Sequence, residues 1–127
     1  MAYPDSAVIF NDPFDPNEVL EYVAAGSGTL LEDGETIDPA FGRWSLALLA
    51  ESVAAGLEII EGDPDYSDPE LINGNTEIRF WVRMDPDALD DPVFLAGVLL
   101  PMEMTFWTTS SPARRRQRTL VLRVVEQ

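Results

Sequence analysis

Cysteine, histidine and lysine are all missing from this 127-residue chain. Without cysteine there is no disulfide frame, no thiolate metal site and no cysteine nucleophile. Without histidine the commonest general base and the commonest transition-metal ligand are gone. Without lysine every basic side chain is an arginine, and 8 of these face 23 acids for a net charge of −15. That balance opposes non-specific binding to nucleic acid and to anionic membranes, which are both polyanions. Long apolar runs are missing too: none approaches the roughly 20 residues of a membrane span. Residues 1–30 lack the basic start and apolar core of a secretory leader. The expectation is a soluble protein with no nucleic-acid or membrane partner.

What is present suits one globular domain. The length fits a single compact unit, and 46% apolar content argues against global disorder. Charge is unevenly spread, because five of the arginines lie near the C-terminus: Arg114, Arg115, Arg116, Arg118 and Arg123. An acidic body with one basic segment favours a charge-matched or self-assembling protein contact; a merely solvated acidic surface is the plainer alternative.

Residues 1–17 carry Pro4, Pro13 and Pro16 among Asn11, Asp12 and Asp15. Proline fixes φ and removes a backbone donor, so this stretch reads as an extended arm outside a central sheet. Within it, Ala7 to Phe10 is a short edge strand or a segment laid on a neighbour. Residues 18–127 read as the folded domain. Glu18 to Val23 is a strand, broken by the small residues from Ala24 to Gly28. Asp33-Gly34 is a turn signal between Leu30-Leu31 and Ile37. Arg43 to Leu49 and Gly56 to Ile60 are further apolar stretches. Leu46 to Ala55 is read as strand, although Leu, Ala and Glu there also favour helix.

The C-terminal half alternates clearly. After an Asn73-Gly74 turn, Ile78, Phe80, Val82 and Met84 point one way and Glu77, Arg79, Trp81 and Arg83 the other, the mark of a half-buried antiparallel strand. Met102, Met104 and Phe106 alternate with Glu103, Thr105 and Trp107 in a second strand. Arg118 to Val125 is a third, with Leu120, Leu122 and Val124 on its apolar face. Asp85 to Pro92 and Gly62 to Glu70 read as acidic loops. Short strands between Pro, Gly and Asp turns predict an all-β fold, a single antiparallel β-sandwich whose strand number fits the immunoglobulin-like topologies.

The order of these pieces resembles a family. Asp15-Pro16-Asn17-Glu18-Val19-Leu20-Glu21-Tyr22 is similar to the "DPDEVLDY" opening of small phage fiber–tail adaptor proteins. Leu31 with Asp33-Gly34-Glu35-Thr36-Ile37 is similar to that family's "L-x-x-G-D-T-I" step. Trp44 and Gly56-Leu57-Glu58-Ile59 follow in family order, as do Gly74-Asn75-Thr76, Phe80-Trp81-Val82 and Thr108-Thr109-Ser110. The close, Arg114 to Arg118 and then Thr119 to Val124, resembles "R-x-x-x-R-S/T-h-x-h-x-V", where h is apolar. The resemblance covers roughly residues 13–125. A longer acidic loop at Asp85 to Pro92 and the N-terminal arm depart from the pattern. The resemblance implies an immunoglobulin-like virion protein of a tailed phage, an adaptor between tail or tail base and fibres. It would dock to other virion proteins in several symmetric copies, with no catalytic residue and no cofactor. A capsid decoration protein is the neighbouring alternative, and a carbohydrate-binding sandwich the alternative from another class.

The residues themselves point the same way. With 23 acids, paired carboxylates arise by chance, and Ser or Thr nucleophiles have no histidine partner, so no catalytic site is expected. Asp63, Asp65 and Asp68 in one loop, and Asp85, Asp87, Asp90 and Asp91 in another, offer hard oxygen ligands. Asp68 stands where an EF-hand needs glycine and Gly74 where it needs glutamate, so solvated loops without a metal are expected. The candidate interface residues are Trp81 and Trp107 on the polar register. If their strands pair, both rings stand on one solvent face beside Arg79, Arg83 and Arg123. Trp and Arg dominate interface energies because they bury large area and still donate hydrogen bonds. Arg114, Arg115, Arg116 and Arg118 form the second candidate, able to grip carboxylates of a neighbour bidentately or to neutralise acids of their own chain. Trp44 reads as core.

Overall fold

The computed structural model describes residues 7–24, 30–32 and 34–126. The long C-terminal strands organise it. Strand β7 (Val98–Trp107) and strand β8 (Arg115–Val124) form an antiparallel ladder of ten pairs, from Val98 opposite Val124 to Trp107 opposite Arg115. Strand β3 (Trp44–Leu48) adds to the free side of β7, and β1 (Val8–Ile9) adds in parallel to β8. This first sheet therefore runs β1-β8-β7-β3. The second sheet is built around β6 (Glu77–Met84), with β2 (Leu20–Ala24) on one side and β4 (Leu57–Ile59) and β5 (Glu70–Ile72) on the other. The protein is an all-β sandwich.

Period-two alternation makes the core. Ile78, Phe80, Val82 and Met84 of β6 are buried between the sheets, facing a layer with Leu100, Met102, Met104 and Phe106 of β7 and Leu120, Leu122 and Val124 of β8. At roughly 1.5–3 kcal/mol for each fully buried large side chain, these rows are the main driving force for closing the two sheets. The β5–β6 connection works as its sequence suggests. Asn73, Gly74 and Asn75 all take positive φ, which Asn and Gly tolerate best.

Two expectations change. The segment Leu46 to Ala55, read as strand, divides: β3 ends at Leu48, and Ala50–Ala55 is the short helix α1. Alternation holds only through Trp44-Ser45-Leu46-Ala47-Leu48, whereas Ala50-Glu51-Ser52-Val53-Ala54-Ala55 has strong helix formers and a left-handed Gly56 (φ 97°) to stop it. Buried Ser52 fixes this helix by donating its hydroxyl to the Pro101 carbonyl at 2.6 Å. The proline-rich arm, read as lying outside a central sheet, joins one edge of the first sheet. Its expected edge strand forms on the chain's own sheet, and Phe14 is fully buried, its amide bonded to the Arg123 carbonyl at 2.8 Å. The acidic loop after β6 contains a 3₁₀ turn (Pro86–Ala88) and leads into helix α2 (Val93–Ala96). Of the break expected from Ala24 to Gly28, Ala24 is the last residue of β2, and residues 25–28, like the first six residues, lie outside the described residues.

Candidate docking surface

The candidate residues separate onto three surfaces. Trp81, Arg79 and Arg83 project from β6 on the outer face of the second sheet. Trp107 belongs to β7 in the first sheet, as does Arg123 on β8. The expectation that both tryptophans share one face is therefore corrected: β6 and β7 do not pair, and equal parity on unpaired strands of two sheets puts the rings on opposite sides of the sandwich.

On the second sheet the candidates are engaged within the chain. Arg79 pairs with Glu70, directly opposite it on β5, and lies 3.7 Å from Glu21 of β2. Arg83 donates to Glu58 at 2.9 Å and lies 3.6 Å from Asp63. Both guanidiniums are held above the ordinary arginine range, first by these hydrogen bonds to carboxylates. The ring of Tyr66, on the loop after β4, rests 5.1 Å from that of Trp81. Outward positions on this sheet carry Glu21, Glu58, Glu70 and Glu77 against Arg79 and Arg83, so the face is acidic. Exposed pairs of this kind add little stability, typically less than about 1 kcal/mol each.

The arginine run divides by strand parity. Leu120, Leu122 and Val124 face inward, so Arg118 and Arg116 fall on that same side of β8, while Arg115 and Gln117 fall on the outer one. Arg116 closes the end of the sandwich. Its Nε and Nη2 donate to the two carboxylate oxygens of Glu35 at 3.2 and 2.9 Å, and Glu32 stands 3.2 Å away. The side chains of Arg116 and Glu35 are only 16% and 10% exposed. The Arg116 hydrogen bonds, opposed by burial, hold the Glu35 carboxyl below its usual range. Arg114 lies 3.8 Å from Glu32 in the same cluster, and Arg118 bonds the Gln117 carbonyl at 3.1 Å. Of the four expected docking arginines, Arg114 and Arg116 thus meet acids of their own chain.

The outer face of the first sheet is different. Its strands present Ser45, Ala47, Leu99, Glu103, Thr105, Trp107, Arg115, Gln117, Thr119 and Arg123, with one carboxylate against two arginines. Arg115 is exposed, and neither it nor Arg123 has an ion pair among the described residues. At one end, Trp107 lies under the guanidinium of Arg43, whose central carbon is 4.4 Å from the ring centre. Arg43 is steered there by Asp38, which accepts from its Nε at 3.1 Å. Beside them a shallow depression of about 240 Å³ is lined by Arg43, Trp44, Thr105, Trp107 and Arg115. Phe41, two residues before Arg43, is fully exposed on a turn between Pro39 and a left-handed Gly42. The sequence marks Arg43 only as the start of the Arg43 to Leu49 stretch, and Phe41 lies outside any alternating run.

No group of His, Cys, Asp and Glu among the described residues has the geometry of a metal site. In the loop after β4, Asp63 caps the Asp65 amide at 2.8 Å and Asp68 caps that of Gly62 at 2.8 Å. In the loop after β6, Asp85 caps the Asp87 amide and Asp91 that of Val93, each at 3.0 Å. These carboxylates act as local turn formers.

No protein-family model matches the chain, and a search of curated proteins returns no significant match.

Proposed function

We propose that the chain is a non-catalytic docking module, an immunoglobulin-like structural component of a tailed-phage virion that joins tail or tail base to fibres. The observation that carries the docking part is the outer face of the first sheet. On a −15 chain this is, among the described residues, a strand-built face where arginines outnumber acids, and it brings Trp107, Arg43 and Arg115 together, with exposed Phe41 two residues before Arg43 in the chain. Aromatic and Arg side chains around a shallow depression have the composition of an interface centre. The virion and tail assignment rests on the resemblance of residues 13–125 to the fiber–tail adaptors. A capsid decoration role uses the same surface. The carbohydrate-binding alternative is less favoured by the geometry, because Arg43 sits over one face of Trp107 and the tilted ring of Tyr66 packs against Trp81.

Immunogold labelling of intact virions, with an antibody against this chain, tests the assignment. Gold confined to the tail end supports the adaptor. Gold over the head replaces it with a decoration protein, and unlabelled virions refute both.

A further inference from the structure

Strand β3 is an edge with the features that protein chains normally avoid on an edge. It closes the first sheet, pairing with β7 on one side alone. The Trp107 amide bonds the Arg43 carbonyl and the Leu49 amide bonds the Pro101 carbonyl, so odd-numbered residues from 43 to 49 face β7. In an antiparallel ladder the groups alternate, so the N–H and C=O of Trp44, Leu46 and Leu48 point out of the sheet. None of these six groups has a hydrogen-bond partner among the described residues. Exposed edges are usually blunted by a charge, a proline or a bulge. Trp44-Ser45-Leu46-Ala47-Leu48 has none of these, whereas the edge strands of the second sheet carry Glu21, Glu58 and Glu70.

We propose that β3 pairs antiparallel with β3 of a second copy about a two-fold axis at Leu46, fusing two first sheets into one eight-stranded sheet. This register uses all six free groups and forms about six main-chain hydrogen bonds. It sets Trp44 opposite Leu48 of the copy and Ser45 opposite Ala47, with no like charges facing each other. The flanks argue for a copy of this chain as the occupant. An antiparallel pairing brings the start of one β3 beside the end of the other. At the start stand Arg43 and fully exposed Phe41; at the end stands α1, with Glu51 in its first turn and Val53, 60% exposed. An apolar pair and an opposite-charge pair are thus matched twice by symmetry. The net charge of −15 opposes the approach at long range, so added salt should tighten the dimer.

The inference is independent of any virion role, and its test uses the purified full chain alone. Sedimentation velocity over a concentration series up to the solubility limit should show a monomer–dimer equilibrium, the dimer having twice the 14.1 kDa chain mass. Ser45 and Ala47 are exposed and point away from the core, so S45K/A47K should keep the monomer fold. It sets lysines opposite one another twice and should weaken the dimer roughly tenfold or more. S45K/A47E sets Lys opposite Glu at the same places and should associate at least as tightly as the parent. In the unmodified protein, amide exchange at Leu46 and Leu48 should slow by roughly tenfold or more as concentration rises. A chain that stays monomeric, a dimer indifferent to S45K/A47K, or a S45K/A47E dimer as weak as the double-lysine one would each overturn the proposal. The exchange data decide the matter should either variant not fold.

Discussion

Replacing Arg116 by alanine tests the division of the arginine run most sharply. Arg116 makes two hydrogen bonds to one carboxylate, at 3.2 and 2.9 Å, and both side chains are largely shielded from water. A hydrogen bond to a charged group contributes about 1.5–3 kcal/mol before the cost of desolvating the pair. Removing the guanidinium also leaves the Glu35 carboxylate shielded and without its cation, while water reaching the vacated end recovers part of the loss. The net expected cost is about 2 kcal/mol, which at this chain length lowers the melting temperature by about 8 °C. Arg116→Lys keeps the charge but loses the fork and should fall between. Arg115→Ala, one residue away but on the outer face without an ion pair among the described residues, should change stability by less than about 0.5 kcal/mol. The effect should depend on pH in one direction. Glu35 has a depressed carboxyl pKa, so its stabilisation is fully present above the ordinary value of 4.5 and is lost as pH falls through its lower folded-state value. The parent and R116A melting curves should therefore converge in acid. Thermal denaturation by circular dichroism at neutral and acid pH is the assay. Equal losses for R115A and R116A, or a neutral R116A, would refute the parity argument.

Three other outcomes follow from the packing. Tyr22 is buried, donates its hydroxyl to the Asp12 carbonyl at 3.1 Å, and has its pKa pushed from 10.0 to about 12 by burial and the nearby negative charges of Asp12 and Glu18. The unfolded chain ionises first, so stability should fall by about 1.4 kcal/mol per pH unit between those values; alkaline denaturation of Tyr22→Phe against the parent checks this. Gly56→Ala should cost about 2–3 kcal/mol by urea denaturation, because φ is 97° and a Cβ would stand 2.6 Å from that of Ala88. Phe14→Ala should cost about 3 kcal/mol or more in the same assay, as for any fully buried phenylalanine; a loss below about 1 kcal/mol would return residues 7–17 to the status of a loose arm.

Where the alternation is long the sequence is a reliable guide, and the reason is physical. In β6, β7 and β8 one side of each strand must be apolar for the sheets to close, so Ile78 to Met84 and Leu120 to Val124 reveal their faces directly. Parity alone does not say which strands pair. Trp81 and Trp107 share a register class yet sit on opposite sheets, because pairing is decided by contacts far apart in the chain. The same parity, counted back from Leu120, already divides Arg116 and Arg118 from Arg115, and reading the run as one basic block overlooked it. The short elements were harder. Leu46 to Ala55 mixes two periods within ten residues, and Phe14, set among prolines and acids, becomes core only when β8 lies beside it. Phe41 has no periodic context, and its exposure follows from a turn whose glycine φ the sequence merely permits.

Site-specific photo-crosslinking on intact virions tests docking through the outer face of the first sheet most directly. A photoreactive residue at position 115 or 105 should capture another virion protein, whereas one at position 58 or 83, on the acidic face of the second sheet, should not. Cross-links from positions 58 or 83 alone, or none from 115 and 105, would contradict the account.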